Sequence, residues 1–162
     1  MSQAILALSS DNGWSTHLRF VDKRRAHWVL QIMGSAMALT GSFLMIQSKN
    51  VHWNTYHGQF ALVALVFTLV GLVNGLTSLY AYEWQRFLPG NFSKISHICF
   101  GIIAYAASCV SLCYGFDKES FTYWASAPLA YSSMAFTSAF TFVVIINPTI
   151  TFFNKSVRFV KK

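Results

Sequence analysis

Long uncharged apolar runs dominate the pattern along this chain. They cover residues 28–47, 58–82, 95–116 and 124–147, and each matches the ~20 residues a helix needs to cross a bilayer. Short polar segments separate them. Residues 19–25 form a basic loop, 49–56 a polar turn, 83–94 a return loop with Pro89-Gly90 at its turn, and Asp117-Lys118-Glu119 the last connection. The pattern predicts full helices over about 28–47, 57–82, 95–116 and 124–147. Asn54 and Thr55 are candidate caps for the second, and Asn91 and Ser93 for the third. Apolar character continues past Asn147-Pro148 to Phe153, before a basic tail. Residues 1–8 are apolar but too short to span, and 11–13 break them. They read as a helix stub or an interfacial segment.

The expected fold class is therefore all-α: a multi-pass transmembrane helix bundle of four full helices plus an N-terminal stub. It forms a single membrane domain over 1–162. Composition agrees, with 54% hydrophobic and only 10% charged residues, against about 25% charged in soluble domains. Trp28, Trp53, Tyr56, Tyr80, Tyr82, Trp84, Tyr123 and Trp124 collect at the run boundaries, as an interfacial belt does. No internal repeat is present.

A net charge of +7 could point to nucleic acid. Its distribution points to topology instead. With four alternating crossings, one side holds Arg19, Lys23, Arg24, Arg25, Arg86, Lys94, Lys155, Arg158, Lys161 and Lys162; the other holds Lys49 and Lys118. The positive-inside rule makes the first side, and the C-terminal tail, cytosolic. An endomembrane or vesicle membrane and the plasma membrane both fit this topology. Cys99, Cys109 and Cys113 share one apolar run at spacings of ten and four, which form no metal or redox motif. They read as small packing residues. The runs lack Asp, Glu, Lys and Arg and show no broken-helix signature, so a channel or transporter is a weak reading.

The chemistry rests on histidines. His27, His57 and His97 each lie at or beside the start of an apolar run. By topology His27 and His97 enter from the cytosolic side at matching depth, and His57 from the far side. His52 sits in the far-side turn and His17 in a loop. Small residues follow each of the three at helical spacing: Gly34, Ala38 and Gly41 after His27; Ala61, Ala64, Gly71 and Gly75 after His57; Gly101 and Ala104 after His97. A flat macrocycle between helices needs a ligand and neighbours without bulk. Two axial imidazoles would hold a low-spin iron suited to electron transfer. The same stripes serve plain helix packing, and a histidine at a helix end serves as an interfacial residue. Both readings stand on the pattern alone.

The segments Arg24-Arg25-Ala26-His27-Trp28-Val29-Leu30-Gln31, Tyr56-His57-Gly58-Gln59, and Ser96-His97 followed by Gly101 resemble the cytochrome b561 family, in particular its cytochrome b561 domain-containing subgroup. The resemblance spans nearly the whole chain. It implies a haem b-binding transmembrane electron-transfer protein, an oxidoreductase of ferrireductase type with ascorbate as cytosolic donor. Ferric iron or monodehydroascorbate is the implied acceptor. The intact family has six helices and two b-type haems. By position, His27 and His97 match the axial pair of the cytoplasmic-side haem and His57 one ligand of the far-side haem. Arg25 matches a basic position near the ascorbate site, where a charged fork suits a monoanion; as one of the basic cluster it equally serves topology. In the family, the partner of His57 lies on the helix before the one carrying His27, and only residues 1–8 correspond to that helix here. The resemblance is thus to an N-terminally truncated member, for which one haem or none, and less than the family's full activity, is expected. The rival expectation is a non-catalytic membrane scaffold or partner subunit. Lipid bilayer is the implied environment, a homodimer is compatible, and nucleic acid is not implied.

Overall fold

A computed structural model describes residues 1–9, 12–80 and 90–161. Among the described residues the chain is all-α, 83% helical, with six helices and no strand. These are α1 (Ser2–Leu6), α2 (Phe20–Gln47), α3 (Tyr56–Leu79), α4 (Gly90–Phe116), α5 (Glu119–Ala125) and α6 (Ala127–Val160). Four of them, α2, α3, α4 and α6, are long and apolar enough to cross a membrane. The expected fold class holds, and α1 is the stub.

Burial explains why these helices suit lipid. Among the described residues of these four helices the buried ones are small: Ser35 on α2, Ala64 and Thr68 on α3, Ser93, Ala104, Ala107 and Ser111 on α4, and Ala130, Thr141 and Val144 on α6. Large apolar side chains point outward, with Val73 67%, Phe136 71% and Phe142 65% exposed. In water such a surface would aggregate. In a bilayer hydrocarbon solvates it, and close helix contact is left to residues with little side chain.

The helix ends differ from expectation in four places. The basic stretch 19–25 is helical from Phe20, because Asp22 in the first turn accepts ion pairs from Arg19 (3.0 Å) and Arg25 (3.6 Å) and suits the positive end of the helix. Helix α4 (Gly90–Phe116) includes Asn91 and Ser93, which therefore lie inside it rather than capping it. The last predicted helix divides at Ser126, whose φ of 70° breaks α5 from α6. Pro128 then sits in the first turn of α6, where a missing N–H costs little. Helix α6 also runs through Pro148 to Val160. Proline costs one backbone hydrogen bond there, a loss that membrane helices tolerate through local adjustment. Thr55 is the cap expected for α3, its hydroxyl accepting from Gly58 N at 3.2 Å. Asp11, Tyr82, Trp84, Arg86, Pro89 and Lys162 lie outside the described residues.

The chain forms two compact units, 1–52 and 53–162. In the first, α1 packs on α2. In the second, α3 packs on α4, α4 on α6, and the short α5 on both α4 and α6. Helices α3 and α4 run antiparallel, since the start of α3 meets the end of α4 at His57 and Ser111, and the end of α3 meets the start of α4 at Ser78 and Ser93. Cys99, Cys109 and Cys113 are free thiols. Cys109 lies against the Thr137 carbonyl and Cys113 against the Ser138 hydroxyl, as packing residues of α4 on α6 do.

Candidate functional site

His57 is the second residue of α3, two residues after the Thr55 cap. Its Nδ1 lies 2.8 Å from the main-chain oxygen of Ser111 on α4. A carbonyl only accepts, so Nδ1 carries the proton. The Ser111 hydroxyl donates to the His57 carbonyl at 2.9 Å and sits 3.2 Å from Nδ1, a second acceptor for the same proton. Gly115, one turn further along α4, makes room for the ring: a Cβ there would stand 3.2 Å from Nδ1 and 3.3 Å from Cε1. The ring of Tyr114 stacks on Tyr56 and Phe60 at centroid distances of 5.4 and 6.0 Å.

His97 repeats the arrangement at the other end of the same helix pair. Its Nδ1 donates to the Gly71 carbonyl of α3 at 3.1 Å. A Cβ on Gly75 would stand 3.0 Å from His97 Cε1. Gly71 and Gly75, which follow His57 in its own helical stripe, thus border His97 of the neighbouring helix. Fourteen residues of α3 separate His57 from Gly71, about 21 Å of helix axis. The two imidazoles therefore occupy opposite ends of the α3–α4 pair.

His27 belongs to the first unit. Its Nδ1 donates to the Ala4 carbonyl of α1 at 2.7 Å. Gly34 packs against the first residue, where a Cβ would stand 3.0 Å from Met1 N and 3.2 Å from Met1 Cγ. Gly34 thus admits α1 in this structure. Gln31 Oε1 and Ser35 Oγ, one and two turns from His27 on the same face, are buried without a hydrogen-bond partner. Arg25 points to solvent, its side chain 71% exposed beside Asp22. His17 is exposed in a turn and His52 lies in the segment before α3.

The three histidines share one chemistry. Each gives its Nδ1 proton to a main-chain carbonyl, which places the ring lone pair on Nε2. Ligating imidazoles are oriented in this way, the hydrogen bond fixing both tautomer and ring plane. Among the described residues no three His, Cys, Asp or Glu side chains gather as a cage for a metal ion. The donor set suits a group that takes its imidazoles singly from separate helices, as haem iron does. A Cβ on Gly71 or Gly101 would meet nothing within 4 Å, which leaves space beside His97.

Ser111, Gly115 and Asn74 carry no signal in the sequence pattern. Small-residue stripes run along each histidine's own helix, whereas the residues that hold the ring stand on the neighbour. Antiparallel pairing carries the missing signal, because a histidine at one helix start meets the far end of the next.

These features define a multi-pass helical membrane protein with imidazoles fixed singly near helix ends. The chain belongs to the eukaryotic cytochrome b561 family, whose model matches residues 1–122, and that family binds haem b. It is similar to the transmembrane reductase CYB561D2 of Mus musculus and of Homo sapiens, 30% identical over 126 residues in each case, covering 75% of this chain and 56% of theirs. The Bos taurus protein of the same name is 29% identical over the same length. The chain spans about half the length of these curated relatives. No solved structure matches it.

Proposed function

We propose that this protein is a haem b-binding transmembrane electron-transfer protein, with His27 and His97 as axial ligands on the cytosolic side and His57 as a ligand on the far side. The observation that carries the reading is the shared tautomer: three imidazoles, each with its Nδ1 proton on a main-chain carbonyl. The pairing of His27 with His97 rests on the family resemblance and on both lying near the expected cytosolic start of their apolar runs. Bound haem supplies a one-electron couple. The chain's residues fix the imidazole planes, exclude water and set the dielectric around them.

Ascorbate is the proposed cytosolic donor, and ferric iron or monodehydroascorbate the proposed acceptor. Arg25 is the proposed contact for an anionic donor, with Asp22 as an internal competitor at 3.6 Å. The N-terminal segment and the C-terminal tail face the cytosol on this reading, following the basic asymmetry. The counterpart of His57 in the family lies on the helix before α2, and α1 carries no histidine. Residues 1–162 alone are therefore expected to hold at most one well-formed six-coordinate haem.

A second reading, a haem-free membrane subunit, is favoured by the contacts of Met1 with Gly34 and Ala4 with His27, which cover that face of α2. The absorption spectrum of purified 1–162, with haem counted as its pyridine complex, separates the two. One low-spin haem is expected, lost in His27→Ala and in His97→Ala and retained in His57→Ala. A haem that survives both losses, or two low-spin haems, refutes the assignment. A chain that folds without haem supports the subunit.

A further inference from the structure

We propose that Asn74 and Gly75 of α3 are positioning residues for His97, setting the plane and tautomer of its imidazole. The inference rests on His97 being a haem ligand only for its consequence, not for its geometry. Three observations on two turns of α3 converge on this ring. The Gly71 carbonyl takes the Nδ1 proton at 3.1 Å. Gly75 presents bare backbone to the ring edge, where a Cβ would approach Cε1 to 3.0 Å, closer than a carbon settles without displacing its neighbour. Asn74 Nδ2 donates to Ser96 Oγ at 2.8 Å, gripping the residue immediately before His97.

The grip extends into a polar cluster between the helices. Ser96 Oγ in turn reaches the carbonyls of Phe92 (2.9 Å) and Ser93 (3.1 Å). Thr77 Oγ1 lies 2.9 Å from the Asn74 carbonyl, 3.2 Å from Asn74 Oδ1 and 3.0 Å from Ser93 Oγ. Ser93, 2% exposed, also meets Ser78 Oγ at 3.0 Å. Plain packing needs small residues only. A carboxamide joined to four hydroxyls fixes register as well, because a slip of one residue along the axis leaves several polar atoms unpaired in a medium without water. That register brings His97 opposite Gly71 and Gly75 rather than opposite Leu72 or Leu76.

With Gly75→Ala the ring must turn away from the new methyl, and the Nδ1 bond to Gly71, already at 3.1 Å, lengthens or breaks. The Nδ1 proton is then no longer held and the Nε2 lone pair is re-aimed. Loss of such an outer partner typically weakens metal binding by about 10–100-fold.

The test uses the full chain in detergent, with ring-¹⁵N-labelled histidine and with haem. Ring ¹⁵N shifts report the His97 tautomer without any haem, identified by its loss in His97→Ala. The wild type is expected to show a single Nδ1-protonated ring, whereas Gly75→Ala, Asn74→Ala and Ser96→Ala show mixed tautomers. Ser96→Thr, which keeps the hydroxyl, should restore the single form. In the haem-loaded protein the same three variants should bind haem about 10–100-fold more weakly, and the haem they retain should show displaced low-spin electron-paramagnetic-resonance g values. Wild-type tautomer and unchanged g values in folded Asn74→Ala and Ser96→Ala overturn the proposal, even where haem content falls. Absence of a His97-dependent haem in the wild type defeats the functional reading alone, since the ¹⁵N result still decides the positioning.

Discussion

Replacing Gly115 by Ala should destabilise the chain relative to replacing Gly101 by Ala, by about 1–3 kcal/mol. Both glycines lie in α4, so exchanging either for Ala brings a helix-propensity gain of up to about 1 kcal/mol, which largely cancels between them. What remains is the space each Cβ enters. At Gly101 it meets nothing within 4 Å. At Gly115 it meets His57 Nδ1 at 3.2 Å and Cε1 at 3.3 Å, so the ring must give by a few tenths of an ångström. That ring is held from two sides by Ser111, at 2.8 and 3.2 Å. Movement therefore costs both overpacking and part of a hydrogen bond worth about 0.6 kcal/mol in a membrane setting. Gly115 is next to the last residue of α4, where helix propensity counts for less, which widens the gap. The assay is reversible unfolding of the haem-free chain in mixed micelles, so that Gly101 reports packing between helices alone. Equal stabilities, or a more stable Gly115→Ala, would refute the fit of the His57 ring against Gly115.

Thr55→Ala should cost about 1 kcal/mol in the same unfolding assay, because it removes the acceptor for Gly58 N; Thr55→Ser should restore it. Asp22→Asn should free Arg25 and lower the apparent KM for ascorbate in haem reduction by about 2–5-fold, the worth of an exposed ion pair, and an unchanged KM removes Arg25 from the donor site. Replacing Cys99, Cys109 and Cys113 together by Ala should leave the haem spectrum unaltered, and loss of haem would contradict a packing role. A C-terminal tag should be digested by protease in sealed cytosol-out vesicles, and its protection would reverse the proposed topology.

Much of the fold was legible because bilayer thickness imposes a length on each apolar run, and the four spanning helices follow from that constraint. The ends were less legible. Whether the basic stretch 19–25 is loop or helix depends on Asp22 bridging Arg19 and Arg25, a local electrostatic choice that hydropathy does not register. The division at Ser126 and the passage through Pro148 are likewise backbone events, invisible to a pattern of apolar positions.

The candidate site divides along the same line. Histidines near helix starts are legible because a titratable ring beside hydrocarbon is costly and therefore conspicuous. The groups that border the His57 and His97 rings are not conspicuous: two main-chain carbonyls, a serine and two glycines, all common in membrane helices. Their role appears only when antiparallel pairing sets the end of one helix against the start of the next. His57 with Ser111 and Gly115, and His97 with Gly71 and Gly75, are the same solution built twice, once with the glycine on α4 and once on α3. A helix pair formed for packing alone has no reason to spend a glycine opposite each imidazole and to aim a carbonyl at each Nδ1. Both ends do so, which is why ring orientation, rather than the mere presence of histidine, is the feature the proposed experiments measure.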